Sequence, residues 1–220
     1  MCGRYTLSAE PKLLARAFGL TVPPPTTPRY NIAPTQQVPI VRSAGHGVEL
    51  ALVRWGLIPA RSPKPEPPGR TINARAETID RLPSFRESFY KRRCLVPASG
   101  FYEWQRADGA KQPYYIQAAA GEAMAFAGVW DRWLGPGGPI ESCAIITTGA
   151  NTLVAKLHTR MPAIIAPEDY AVWLAPDTAP VRLRALLRPF ASERLRAFAV
   201  STLVNDPKHE LPACVEPLPF

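Results

Sequence analysis

Cys94-Leu95-Val96-Pro97-Ala98-Ser99-Gly100-Phe101-Tyr102-Glu103-Trp104 joins a short apolar run to a carboxylate flanked by aromatic residues. The segment Cys94 to Ala98 has the length and composition of a buried strand. Comparable β-rich runs recur at Val38 to Val41, Val48 to Trp55, Tyr114 to Gln117, Ala123 to Val129 and Cys143 to Thr147, with turn residues between most of them. Short strands in this succession predict a mixed or antiparallel sheet folded over on itself, not a βαβ repeat. Helices are predicted around it. Ser8 is the expected N-cap of one whose apolar face is Leu13, Leu14, Ala17 and Phe18 and whose stop is Gly19. Others are expected at Ser84 to Arg92, Thr152 to Leu157, Pro167 to Leu174 and Pro180 to Leu187, with Pro167 suited to a first helical turn.

A chain of 220 residues can bury one sizeable core, and no break in composition divides it, so residues 1–220 are expected to form a single domain. Proline, 26 residues in all, concentrates in Val22 to Pro28 and Ser62 to Pro68, which are expected to be surface loops. The formal charge is +8 and the pI is near 9.6, which favours a polyanionic partner. Four widely separated cysteines with no C-x-x-C pair argue against a zinc site and a disulfide framework, and fit a reducing compartment. Neither a secretory signal nor a run of ~18 apolar residues is visible, so a cytoplasmic protein without a membrane partner is expected.

Position gives Cys2 its interest. If Met1 is removed, Cys2 carries an α-amine and a thiol on adjacent carbons, with ordinary pKa values of about 7.7 to 8 and about 8.5. A 1,2-aminothiol captures an aldehyde as a Schiff base and then closes a five-membered thiazolidine. A sugar aldehyde masked as a hemiacetal must first be opened, which requires proton transfer. Glu103 is one candidate, because aromatic neighbours can desolvate it and raise its pKa; an outward-facing strand glutamate is the plain alternative. His158, in Leu157-His158-Thr159-Arg160-Met161-Pro162, is the other, although a lone histidine can equally be structural. Asn73, Arg75 and Glu77 alternate in Thr71 to Thr78 and would share one face of an extended strand. Arg75 suits a phosphate and Asn73 a polar intermediate.

Arg4, Arg54, Arg75, Arg86, Arg92, Arg93 and Arg160 supply cations, while Tyr30, Trp55, Phe85, Phe89, Tyr102 and Trp104 supply aromatic rings. Single-stranded nucleic acid is held by this combination, the cations tracking phosphates and the rings stacking bases. Most of the rings must be core, with Trp55 taken as the stacking candidate. Arg182, Arg184, Arg188, Arg194 and Arg196 are read as solvated.

MCGRYTL at the start, YNIAPTQ at Tyr30 to Gln36, RWGLIP at Arg54 to Pro59, INARAET at Ile72 to Thr78, CLVPASGFYEW at Cys94 to Trp104, ITTGAN at Ile146 to Asn151 and HTRMP at His158 to Pro162 together resemble the SRAP family. This family is also described as SOS response-associated peptidases and abasic site processing proteins. The similarity is ordered and runs from residue 1 to about residue 205. It implies a compact α+β domain built on a mixed, largely antiparallel β-barrel-like sheet flanked by short helices. It also implies a monomer that binds abasic sites in single-stranded DNA, or where single strand meets duplex, and crosslinks itself to the lesion. The catalytic positions of the family match Cys2, Asn73, Glu103 and His158, and its phosphate-contacting arginines match Arg4, Arg75 and Arg160. No metal or organic cofactor is implied. Two alternatives stand beside this reading: an autopeptidase that removes only its own Met1, and a non-catalytic single-strand binder with an incidental Cys2. Lyase activity and recruiting partners are not legible in these motifs.

Overall fold

The computed structural model describes residues 2–45, 47–65, 71–107 and 110–219. Its strands are β1 (Tyr5–Leu7), β2 (Arg29–Ile32), β3 (Gln37–Ser43), β4 (Val48–Trp55), β5 (Asn73–Arg75), β6 (Arg93–Ala98), β7 (Gly100–Ala107), β8 (Ala110–Ala118), β9 (Met124–Gly135), β10 (Gly138–Gly149), β11 (Arg160–Pro162), β12 (Ile164–Ile165) and β13 (Leu195–Ala199). Helices α1 (Pro11–Phe18), α2 (Arg86–Lys91), α3 (Tyr170–Leu174) and α4 (Pro180–Leu186) are short, and several 3-10 turns link the remainder.

Five of the strands close a ring. β10 pairs in parallel with β4, and the circuit continues through antiparallel pairs β4–β3, β3–β6, β6–β9 and β9–β10. This is a small mixed barrel, and closure removes the exposed edges that an open sheet would leave. Gly128 on β9 shows how tightly it is filled: a Cβ there would lie 2.9 Å from Cys94 Sγ and 3.0 Å from Val96 Cγ2. The second sheet is wholly antiparallel, in the order β13-β8-β7-β1-β2. It packs on the barrel through aromatic edges. Tyr5 of β1 meets Trp55 at 5.3 Å and Phe126 at 5.9 Å between ring centroids, and Phe101 of β7 meets Phe126 at 5.9 Å. The architecture is α+β, with the barrel-like sheet and short flanking helices that the motifs imply.

Several local expectations change. Ser8 does not cap α1; its backbone N–H donates to Ser99 Oγ at 2.9 Å, and the helix starts at Pro11 after Glu10. Pro11 takes the first turn because the amide it lacks would have no helical partner there. Gly19 does stop this helix, in the left-handed conformation at φ 66° that glycine adopts without a Cβ clash. The stretch Thr152 to Leu157 forms only the 3-10 turn Val154–Lys156, and the helix expected from Pro167 begins as a 3-10 turn before α3. β5 ends at Arg75, where the N–H groups of Thr78 and Ile79 both turn back to its carbonyl, so Glu77 leaves the strand face it was expected to share. Arg93 is internal, not a DNA-facing cation. Its guanidinium donates to the carbonyls of Phe89, Tyr90, Trp173 and Ala175, satisfying acceptors at the C-terminal ends of α2 and α3. The Val22 to Pro28 stretch is irregular and mostly exposed, as expected; the end of the Ser62 to Pro68 stretch, like Met1, lies outside the described residues.

Candidate active site

Cys2 precedes β1 at the seam between the two sheets, within reach of Asn73 on one and Glu103 on the other. The ladder between β1 and β7 continues past the formal strand, with Tyr102 N–H donating to Arg4 O at 3.0 Å, and this brings the chain start alongside Glu103. Gly100 makes β7 fit there. A Cβ at this position would sit 2.4 Å from the Tyr115 ring, so only glycine lets Tyr115 lie across the strand and reach Thr6 Oγ1 at 2.8 Å.

Cys2 is fully buried. Burial pushes its thiol pKa well above the ordinary cysteine value, and the nearby charge of Glu103 pushes the same way. Asn73 reaches the Cys2 backbone from the barrel side. β5 runs parallel to β10, pairing Asn73 with Ile145, and the Asn73 amide Nδ2 donates to Cys2 O at 2.9 Å. Its Oδ1 is buried and, among the described residues, accepts no hydrogen bond, which leaves an acceptor at the site.

Glu103 is 3% exposed, and burial raises its carboxyl pKa above the ordinary 4.5, an effect that the charge of His158 opposes. Glu103 is therefore an inward-facing acid, and the solvent-facing alternative does not hold. His158 is half-buried. Its Nδ1 accepts the Arg160 backbone N–H at 3.0 Å and lies 3.3 Å from the Arg160 carbonyl oxygen, which ties the ring to the start of β11. The turn that carries the ring is built by Asn151: Oδ1 accepts Val154 N–H at 2.9 Å, and His158 N–H then closes on Val154 O at 2.9 Å.

The four expected catalytic side chains thus come from four separate segments and meet at one seam. The expected phosphate contacts behave differently from one another. Arg75 is exposed at the end of β5. Arg4 is tethered, its Nη1 donating to Asn31 Oδ1 at 2.6 Å and Val204 O at 2.7 Å while the guanidinium lies 5.9 Å from the Trp104 ring centroid. Arg160 is engaged by Glu77 in a bidentate ion pair. Trp55 is a correction: it is fully buried, packs edge-on to Tyr5 and donates from Nε1 to Ile72 O at 2.9 Å, so no base can stack on it. Trp104 lies nearer the surface, with Nε1 donating to Asn205 Oδ1 at 2.7 Å.

Sequence reasoning missed Asn31 and Asn151. Asn31 is fully buried and ties Arg4 to the segment that follows β13, with Nδ2 donating to the carbonyls of Asp206 at 2.9 Å and His209 at 2.8 Å. The signal for Asn151 was available, since asparagine before a turn commonly accepts a backbone N–H a few residues on.

The profile of the SRAP family, described as SOS response associated peptidase, matches residues 1–207. The chain is 39% identical over 222 residues to abasic site processing protein YoqW of Bacillus subtilis, covering 98% of this chain and 99% of that one. It is 33% identical over 221 residues to abasic site processing protein HMCES of Xenopus tropicalis, covering 86% of this chain and 65% of that one. Among solved structures, a protein from Bacteroides thetaiotaomicron superposes with a TM-score of 0.87 at 31% identity, covering 99% of this chain and all of that one. By the extent of the profile match and the identity to these relatives, the chain belongs to the SRAP family.

Proposed function

We propose that this protein captures abasic sites in single-stranded DNA by forming a thiazolidine through the α-amine and thiol of Cys2, after loss of Met1. The lesion comes from the relatives named abasic site processing proteins. The chemistry comes from the site. The observation that carries the reading is the convergence on one buried cysteine at the chain start: Asn73 holds its carbonyl and Glu103 adds its charge beside the thiol.

The abasic sugar enters as a hemiacetal. His158, as the imidazolium, gives a proton to the ring oxygen while Glu103 takes the proton of the anomeric hydroxyl, and the aldehyde opens. The Cys2 amine adds to the aldehyde carbon. Glu103 moves a proton from nitrogen to the new hydroxyl, which leaves as water, giving the imine. The thiol sulfur then adds to the imine carbon while its proton passes to nitrogen, closing the ring with a net loss of one water. Asn73 Oδ1, which accepts no hydrogen bond among the described residues, orients the N–H that forms. A carboxyl pKa raised by burial makes Glu103 better suited both to take and to give protons. Confinement of these groups replaces a bimolecular capture by an effectively intramolecular one. Exposed Arg75 and the wider basic balance would hold phosphates without reading sequence.

Incubation of purified protein with an abasic oligonucleotide, followed by denaturing electrophoresis and intact mass, tests the reading. The expected product has lost Met1 and carries the oligonucleotide less one water. A stable crosslink formed by Cys2→Ala would refute it. Loss of Met1 without an adduct would leave an autopeptidase, and DNA binding with neither event a simple binder. One residue retained before Cys2 should abolish the adduct and spare noncovalent binding.

A further inference from the structure

The ion pair between Glu77 and Arg160 takes no part in this proton chemistry, yet it stands beside it. Arg160 Nη1 donates to Glu77 Oε1 at 2.6 Å and Nη2 to Oε2 at 2.9 Å, a bidentate arrangement. From the protein side Nη2 also donates to Thr147 O at 2.5 Å and lies 3.3 Å from Thr147 Oγ1. The Arg160 side chain is only 18% exposed, whereas that of Glu77 is 52% exposed. The guanidinium is therefore fixed by the barrel strand β10, and the carboxylate approaches it from the solvent. Arg75 is exposed and its charge also acts on Glu77. Two residues before Arg160, His158 receives the Arg160 backbone N–H, so whatever occupies the guanidinium lies next to the proposed acid.

We infer that Glu77 is an internal stand-in for a DNA phosphate: it fills the Arg160 fork in the free protein and yields it to a backbone phosphate when single-stranded DNA binds. This rests on the reading of the site as one that binds DNA. A carboxylate and a phosphodiester each present two oxygens and about one negative charge to a guanidinium fork, so one can replace the other without new geometry. Release of Glu77 is cheap, because an ion pair whose carboxylate is half open to solvent contributes little to stability. Thr147 keeps the fork aimed after the exchange. Glu77 sits on a turn beyond the end of β5, where it can move without breaking a strand ladder. Its carboxyl pKa is lowered chiefly by the hydrogen bonds from Arg160, so it is ionised at neutral pH and would repel a phosphate if it stayed. In the wild-type protein Arg160 is thus already neutralised, and exchange adds no net cation to the groove.

Fluorescence anisotropy with a short undamaged oligothymidylate at several salt concentrations tests this without any crosslinking. Glu77→Gln keeps the size and removes the charge. It should tighten binding by about 3- to 10-fold at about 0.1 M salt and steepen the slope of log K against log salt by about 0.7, the value for one more neutralised phosphate on a single strand. In an Arg160→Gln or Arg160→Lys background, which lacks the fork, the gain should largely vanish. An equal gain in all backgrounds would overturn the inference, since Glu77 would then act only through net charge. Weaker binding by Glu77→Gln would also overturn it, because Glu77 would merely hold Arg160 in place. Failure of the wild-type protein to bind the oligonucleotide at any salt would refute the DNA reading itself, whereas binding without this coupling refutes the inference alone.

Discussion

Asn31→Ala removes a buried side chain that joins the chain start to its end. Asn31 Oδ1 accepts from Arg4 Nη1 at 2.6 Å, and Nδ2 donates to Asp206 O at 2.9 Å and His209 O at 2.8 Å, with Val204 O a further 3.3 Å away. An amide nitrogen has two protons, so the longest contact is left out of the sum. A hydrogen bond to a charged group is worth about 1.5–3 kcal/mol and a neutral one about 0.5–1.5 kcal/mol. The three good bonds therefore total about 2.5–6 kcal/mol. Arg4 is half-buried and Asp206 exposed, so water recovers part of this, and a net loss of about 2–3 kcal/mol is expected. For a chain of this size that lowers Tm by about 4–12 °C. Thermal unfolding followed by circular dichroism measures it, and limited proteolysis should show faster cleavage after β13, within residues 201–214. Asn31→Asp keeps the acceptor for Arg4 but turns an oxygen towards two carbonyls, so it should not restore stability. A wild-type Tm for Asn31→Ala, or full rescue by Asn31→Asp, would refute the bond-by-bond reasoning.

Glu103→Gln should end crosslinking and yet stabilise the fold near neutral pH. The folded pKa of Glu103 is raised above its unfolded value by burial, so its contribution to stability is fully present below about pH 4.5 and is lost as pH rises through the folded pKa. The variant's advantage in Tm over wild type should accordingly be present at pH 7 and shrink towards pH 4; a constant difference would exclude desolvation as its source. Gly100→Ala forces a Cβ to 2.4 Å from the Tyr115 ring and should cost about 1–3 kcal/mol, read as a fall in denaturant midpoint. Asn151→Ala loosens the turn under His158, and should slow adduct formation by about tenfold, roughly 1.4 kcal/mol of barrier, while leaving affinity for undamaged DNA unchanged.

Strand existence was legible because the apolar runs are short and recur between turn residues, and each of the six runs read as β-rich contributes to a strand. Barrel closure was not legible from those runs. It depends on the parallel pairing of β4 with β10, between strands far apart in the chain, and no local pattern encodes that choice. Helix boundaries failed where tertiary contacts overrode them: Ser8, a good capping residue by type, instead gives its N–H to Ser99, a partner 91 residues away.

The same physics explains which parts of the candidate site could be read. Residue type indicates what a side chain can do in chemistry, so Cys2, Asn73, Glu103 and His158 were recognisable as candidates from their thiol, amide, carboxyl and imidazole groups. Type does not indicate what a side chain already holds. Arg4, Arg75, Arg93 and Arg160 are identical in sequence, yet one is tethered to Asn31, one is exposed, one closes two helix ends and one grips a carboxylate. Trp55 and Trp104 differ in the same way, the first consumed by the packing of two sheets and the second left near the surface. For charged and aromatic residues, function depends on a partner chosen by long-range pairing. The stand-in role inferred for Glu77 is the sharpest case, because it exists only once β10, β11 and the turn after β5 have been brought together.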